Sequence, residues 1–180
     1  MNLDFSKGAS TWEVTVRLVV AIFIGGLIGW DRQRADKPAG LRTHMLVALG
    51  SASFTLLGFE VGAHLSPRTG EGFDPTRVLQ GVIGGIGFLG AGSIIQNRGQ
   101  VSGITTAASV WVSGALGAAA GVGAFVLAGI STVLALLILV VARLEGGRRA
   151  SNPPPAADVD NDAASNDETK KPAALAARVS

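Results

Sequence analysis

The stretch that decides the fold is "GGIGFLGAGSII", from Gly84 to Ile95. Inside it, Gly85 to Gly90 reads G-x-G-x-x-G, the spacing of a dinucleotide-phosphate loop. A nucleotide site of that kind also needs a preceding strand and an acidic residue about 20 positions further on. After Asp74 the next acidic residue is Glu145, and the motif lies within an apolar run. The sequence therefore predicts that these glycines do not bind a nucleotide.

The composition indicates a membrane protein. Only 16% of the 180 residues are charged, and none lies between Arg98 and Arg143, whereas soluble domains average about 25%. A membrane-spanning helix needs about 20 apolar residues. We predict an all-α membrane protein, a bundle of about five transmembrane helices with Gly-rich packing faces. The predicted spans are 12–30, 41–63, 78–96, 104–120 and 121–142. Four spans is the main alternative, because the fourth run is short and rich in Ala and Gly.

The flanking charges predict an orientation. Most Lys and Arg residues near the spans lie in the 1–2 connection, the 3–4 connection and the segment after the fifth span. Because such residues favour the cytoplasmic side, we expect a bacterial inner-membrane protein with residues 1–11 outside the cytoplasm. The polar segment 143–180, with its Pro triplet and few large apolar side chains, is predicted to be a disordered cytoplasmic tail.

The glycines predict close helix packing. In lipid, helices associate through small residues that let backbones approach. Because the third predicted span carries small residues on every face, we expect it to lie at the centre of the bundle. Its candidate packing or gating residues are Gly85, Gly87, Gly90 and Gly92. A local break in this helix that lines an ion path is the alternative.

Polar residues next to the spans collect on the predicted cytoplasmic side. We expect one functional cluster there, with Asp31 paired to Arg32 or Arg42. Its candidate members are Asp31, Arg32, Arg42, Thr43, His44, Gln96, Thr105 and Thr106. The alternative is that the basic residues only set the topology and contact anionic lipid.

Two further polar positions lie near the opposite end. Glu13 and Arg17 have the spacing of a stabilising helix pair, with Arg17 extending toward the interface. Glu60 either extends toward the interface in the same way or forms a buried ion or proton site with Gln80 as its partner.

Several classes of function are not supported by any pattern. The sequence has no cysteine, and we find no hydrolytic triad, no pair of carboxylates at catalytic spacing and no cluster of zinc ligands. We therefore expect no enzyme, no cofactor, no metal site and no nucleic-acid partner.

The blocks "PAGLRTH" (Pro38–His44), "GIGFLGAG" (Gly85–Gly92) and "GITTAAS" (Gly103–Ser109), in this order, resemble the bacterial MgtC/SapB family. The resemblance implies a multi-pass inner-membrane protein associated with magnesium limitation and with survival in phagocytes. It also implies the F-type ATP synthase as a partner. Asp31 stands where the family usually has Glu. No ACT-like domain is recognisable after the last span, so the chain is most similar to the shorter, SapB-like members.

Two functions follow as hypotheses. The first is a regulatory membrane protein that acts in magnesium limitation or in host or acid stress through intramembrane contacts with a partner complex. The second is a small ion or solute transporter or channel. The lipid bilayer is the surrounding partner in both, and the sequence leaves a homo-oligomer open.

Overall fold

Five helices and one short hairpin make up the computed structural model, which describes residues 10–69, 74–97 and 100–151. The helices are α1 (Thr11–Arg34), α2 (Leu41–Thr69), α3 (Pro75–Gly92), α4 (Ile104–Val122) and α5 (Phe125–Ser151). The strands β1 (Ile95–Asn97) and β2 (Gln100–Ser102) pair antiparallel, with Ile95 opposite Ser102. The chain divides into two compact units, Met1–Glu145 and Gly146–Ser180. The packing described below lies within the first.

The predicted all-α membrane bundle is confirmed. Among the described residues, four helical segments are long and apolar enough to cross a membrane: Thr11–Arg34, Leu41–His64, Ile104–Val122 and Phe125–Leu144. Helix α3 is not one of them, and it ends at Gly92, before the predicted end of the third span at Gln96. The hairpin β1–β2 follows where a loop was expected. Gly103 then begins α4 with a φ of 88°, a conformation that glycine adopts without steric cost.

The two ends of the chain lie mostly outside the described residues. Of the predicted N-terminal segment 1–11, only Ser10 and Thr11 are described. Helix α5 continues to Ser151, past the predicted end of the fifth span at Ala142. The rest of the predicted tail, 152–180, lies outside the described residues.

Helix α1 begins with a capping box. The Glu13 amide donates to Ser10 Oγ at 3.3 Å, and the Ser10 amide donates to Glu13 Oε2 at 2.9 Å, which satisfies two N-terminal donors. The predicted Glu13–Arg17 pair is therefore wrong. Arg17 Nη1 instead donates to the Gly121 carbonyl at 3.1 Å, where a cation complements the C-terminal dipole of α4.

Side chains also cap the next two helices. Gln33 Oε1 accepts a hydrogen bond of 3.3 Å from the Leu41 amide at the start of α2. At the start of α3, Asp74 Oδ1 accepts from the Thr76 hydroxyl at 2.7 Å and from the Thr76 amide at 2.9 Å. These two hydrogen bonds, the hydroxyl one first, lower the pKa of the Asp74 carboxyl because they stabilise its charged form.

Helices α2 and α4 form the centre of the described bundle, since each packs against the other and against α1 and α3. The small residues of α4 bring it into backbone contact with α2. A Cβ at Gly117 would lie 2.7 Å from Ala48 Cα, and one at Gly121 would lie 2.8 Å from the Ala52 carbonyl oxygen. On the other side of α2, a Cβ at Gly25 of α1 would lie 2.9 Å from Ala48 Cβ.

The prediction that the third span lies at the centre is wrong for the described chain. Helix α3 packs mainly against α4 and α2, and of its residues only Ile86 and Gly90 are buried. Ile86 contacts Gly114 of α4. The remaining glycines of α3 are not in close helix contact, since a Cβ at each would meet no atom within 4 Å: Gly81, Gly84, Gly85, Gly87 and Gly92.

Helix α5 packs through side chains. Ala128 and Leu139 join Ile24, Ile28 and Leu116 in a buried apolar cluster. Leu136 is partly buried against the same cluster. The remaining large apolar side chains of α5 are exposed, as expected of a helix whose outer face contacts lipid: Phe125, Val126, Leu127, Ile130, Val133, Leu134, Leu137, Ile138, Val140, Val141 and Leu144.

We expect Gly117→Ala to destabilise the bundle strongly. The new Cβ would collide with the Ala48 backbone, which cannot rotate away as a side chain would, and overpacking of this kind costs about 1 to 3 kcal/mol. Gly84→Ala is the matched control, because its Cβ enters open space. Thermal unfolding in detergent measures the difference. Equal melting temperatures for the two variants would contradict the close approach of α2 and α4.

Candidate functional site

The end of α1 carries a buried ion pair. Arg32 Nη2 lies 3.1 Å from Asp31 Oδ2, and Arg32 Nε lies 3.3 Å from the same oxygen. Arg32 is only 3% exposed. A buried guanidinium is costly unless a carboxylate and hydrogen bonds compensate it, so Asp31 is the residue that makes this position of Arg32 tolerable.

A second cation reaches the same carboxylate from α5. Arg143 Nη2 donates to the Asp31 carbonyl at 2.9 Å and also contacts Asp31 Oδ1. We call Asp31, Arg32 and Arg143 the Asp31 cluster. Sequence reasoning assigned Arg143 only to the topology of the chain. The signal that could have found it is its position as the first charged residue after the long uncharged stretch from Arg98.

His44 forms a separate polar link between α2 and α4. Its Nδ1 lies 2.8 Å from the Gly40 carbonyl and its Nε2 lies 3.1 Å from Ser109 Oγ. Ser109 Oγ also lies 2.8 Å from the Thr106 carbonyl. A neutral imidazole and one hydroxyl supply two hydrogens for these three contacts, whereas an imidazolium would supply the third. The three contacts therefore share two hydrogens when the imidazole is neutral.

The predicted cytoplasmic cluster divides in the structure. Arg32, His44 and Thr106 are buried, and Asp31 is partly buried, whereas Arg42, Thr43 and Thr105 are exposed. We expected Asp31 to pair with Arg32 or with Arg42. The structure pairs it with Arg32, and no described contact joins it to Arg42. Gln96 lies in β1, and its side chain is outside the described part of the chain.

Glu60 is buried near the other end of α2. It is 7% exposed, and it lines a cavity of about 400 Å³. Gln80, its expected partner, is exposed on α3 and does not line this cavity. His64 is the group nearest to the carboxylate, with Nδ1 3.6 Å from Glu60 Oε1. Sequence reasoning missed both His64 and the role of Arg17, which lines the same cavity.

The candidate glycines of α3 occupy two kinds of surroundings. A Cβ at Gly90 would lie 3.4 Å from the Ala107 carbonyl oxygen of α4, which is close but not prohibitive. Gly85, Gly87 and Gly92 face open space. Their packing or gating role stays a prediction. Over the described residues, no group of three or more His, Cys, Asp or Glu side chains could hold a metal ion.

The four apolar helices, the buried ion pair and the close backbone contacts define a polytopic helical membrane protein. The sequence profile described as the MgtC family matches residues 18–145. The chain therefore belongs to the MgtC family.

Three relatives are informative. The chain is 40% identical over 147 residues to "Protein SrpB" of Synechococcus elongatus, covering 77% of this chain and 80% of that protein. It is 40% identical over 129 residues to "Putative magnesium transporter YhiD" of Escherichia coli, covering 72% of this chain and 60% of that protein. It is 42% identical over 116 residues to "Protein MgtC" of Brucella abortus, covering 64% of this chain and 45% of that protein. No solved structure matches the chain.

We expect Asp31→Asn to destabilise the bundle by about 3 to 5 kcal/mol, because it leaves a buried Arg32 without its carboxylate. Thermal unfolding in detergent measures this change. Arg42→Gln is the control, since Arg42 is exposed, and we expect it to stay within about 0.5 kcal/mol of the parent. An Asp31→Asn protein as stable as Arg42→Gln would show that the ion pair is dispensable.

Proposed function

We propose that this protein is a regulatory membrane protein that binds a helix of a partner membrane complex along α3. In this proposal it acts during magnesium limitation or host or acid stress. It lies in the bacterial inner membrane with the Asp31 cluster toward the cytoplasm and the N-terminus on the other side. It is not an enzyme.

The open face of α3 is the observation that carries this proposal. Gly25, Gly117 and Gly121 are each in contact with α2, whereas five glycines of α3 meet nothing within 4 Å of a Cβ position. Glycine in a helix costs backbone entropy of about 0.5 to 1 kcal/mol relative to alanine. A second helix packing on this face would use the same small-residue contacts that hold α2 to α4.

The exposed side chains beside these glycines agree with such a contact. Phe88 is 81% exposed, and Ile83 and Leu89 are at least half exposed on the same helix. Apolar side chains next to glycines offer a partner helix both close approach and apolar area. By resemblance, the F-type ATP synthase is the partner complex to test first, and a second copy of this chain is the other candidate.

The names of the relatives supply the physiological setting. "Protein MgtC" and "Putative magnesium transporter YhiD" both come from relatives that match the transmembrane part of this chain. The match spans less than half of the Brucella protein and about three fifths of the Escherichia protein. The name of the Escherichia relative mentions magnesium, and that setting is extended to this chain as part of the proposal.

We expect Gly87→Leu to abolish complementation of a deletion strain grown at low magnesium and to release a partner that co-purifies in mild detergent. A leucine there would fill the space that the partner helix needs. Gly129→Leu on α5 is the matched control, because Gly129 also meets nothing within 4 Å and lies outside the α3 face.

Equal complementation by the two variants would contradict the α3 docking face. Purification of the wild-type protein without any partner and without self-association would contradict the regulatory mechanism itself.

A transporter is the second candidate, favoured by the buried Glu60 beside a cavity and by the name "Putative magnesium transporter YhiD" of the Escherichia relative. We expect a transporter to move Mg²⁺, Na⁺, K⁺ or H⁺ in proteoliposomes and Glu60→Gln to abolish that flux. Proteoliposomes that show no flux of any of the four ions would eliminate this candidate.

A further inference from the structure

A cavity at the end of the bundle opposite the Asp31 cluster is lined by unlike charges. It holds about 400 Å³ and lies between α1, α2 and α4. Arg17 supplies a guanidinium, and Glu60 and Glu13 supply carboxylates, of which only that of Glu60 is buried. Glu13 Oε2 already accepts from the Ser10 amide, and Leu56, Phe59 and Val122 supply apolar wall. The docking role proposed for α3 does not make use of this cavity.

Glu60 carries an unsatisfied acceptor into the cavity. The residue is 7% exposed, and its Oε1 has no hydrogen-bond partner among the described residues. His64 Nδ1 lies 3.6 Å from Oε1, beyond hydrogen-bond distance, and it instead hydrogen-bonds the Glu60 carbonyl at 3.1 Å. A buried polar atom without a partner is costly and calls for an explanation. A ligand that donates a hydrogen bond to Oε1 would remove this cost.

Arg17 carries unsatisfied donors into the same cavity. Of the five N–H donors of a guanidinium, one hydrogen bond is formed among the described residues, from Nη1 to the Gly121 carbonyl at 3.1 Å. Arg17 and Glu60 do not form an ion pair with each other, although both line the cavity. The Arg17 guanidinium and the Glu60 carboxylate are therefore not paired with each other, and both border the cavity.

Neither a simple cation nor a simple anion suits this arrangement. A lone cation bound at Glu60 would be repelled by the Arg17 guanidinium, and a lone anion bound at Arg17 would be repelled by Glu60. A molecule with both charges would satisfy both groups, since guanidinium matches phosphate and carboxylate oxygens and carboxylate accepts from ammonium. A cavity of this volume lies at the small end of the range for ligand pockets.

We propose that this cavity binds a zwitterion, with its ammonium on Glu60 and its phosphate or carboxylate on Arg17. Two sources carry this chemistry. One is the phosphoethanolamine headgroup of a membrane lipid, whose acyl chains would lie along the apolar surface beside the cavity. The other is a small soluble amino acid or amine phosphate. The inference is independent of the docking role of α3.

The first test uses the wild-type full-length chain and varies only the ligand. Native mass spectrometry after exchange into mixed lipid counts retained phosphatidylethanolamine, phosphatidylcholine and phosphatidylglycerol. We expect phosphatidylethanolamine to be retained most, because choline lacks N–H donors for Glu60 and glycerol lacks the positive charge. Equal retention of all three lipids, with no thermal stabilisation by free phosphoethanolamine or glycine, would overturn the proposal.

The same measurements distinguish the two sources. Competition of free phosphoethanolamine or glycine with bound lipid, or thermal stabilisation of delipidated protein by either, would identify a soluble zwitterion as a ligand. Preference for phosphatidylethanolamine without any response to the free molecules would identify the lipid headgroup.

The second test assigns the two contacts. Glu60→Gln and Arg17→Gln should each weaken zwitterion binding by about tenfold or more, the order expected from loss of one charge-assisted hydrogen bond. Asp36→Asn and Arg77→Gln are the matched controls, because both residues are exposed and neither lines this cavity. Asparagine also tolerates the positive φ of 52° at Asp36.

Arg17→Gln also removes a hydrogen bond at the end of α4, so Arg17→Lys provides a second variant that keeps the cation. We expect Arg17→Lys to retain part of the binding that Arg17→Gln loses. Unchanged binding in a folded Glu60→Gln protein would overturn the assignment of the ammonium to Glu60.

Discussion

Backbone contact between α4 and α2 is the constraint on which the rest of this structure depends. Gly117 and Gly121 have no side chains to hold the helices apart, and their Cβ positions fall within 3 Å of α2 atoms. At such distances dispersion and weak contacts between backbones act over the whole length of the interface. Helix α1 then joins on the other side through Gly25, and Ala21, Ala52 and Ala120 close the space between the three helices.

Buried charge is compensated at one end of this helix bundle and not at the other. At one end Arg32 is compensated, because Asp31 accepts from it and Arg143 supports the same carboxylate. At the other end Glu60 is buried with an uncompensated oxygen beside a cavity. Buried charge is costly without a partner. Arg32 has its partner within the chain, whereas the free oxygen of Glu60 calls for a partner outside the described chain. That contrast is why the ligand proposal concerns Glu60.

The candidate site was predictable only in part, and particular residues show why. Asp31 and Arg32 are neighbours that border an apolar run, so their pairing follows from local sequence. Arg143 lies 112 residues from Asp31, and only the packing of α5 brings its guanidinium to that carboxylate. Similarly, Arg17 reaches Gly121 across a separation of 104 residues, which overrides the local spacing that predicts a pair with Glu13. His44 was a predicted member, but its partner Ser109 was not.

The sequence by itself determined that this is a helical membrane protein, because long uncharged apolar runs have no other stable arrangement in lipid. It also determined that the glycine motif at Gly85 to Gly90 is not a nucleotide loop, because no carboxylate follows it. Only the tertiary structure decided which glycines are in helix contact. Helix α3 contains six glycines and α4 contains three, yet the glycines of α4 make the closer helix contacts, so glycine content cannot tell a core helix from an outer one. Whether a glycine is in helix contact depends on which neighbouring helices pack against its face, and only the assembled bundle decides that.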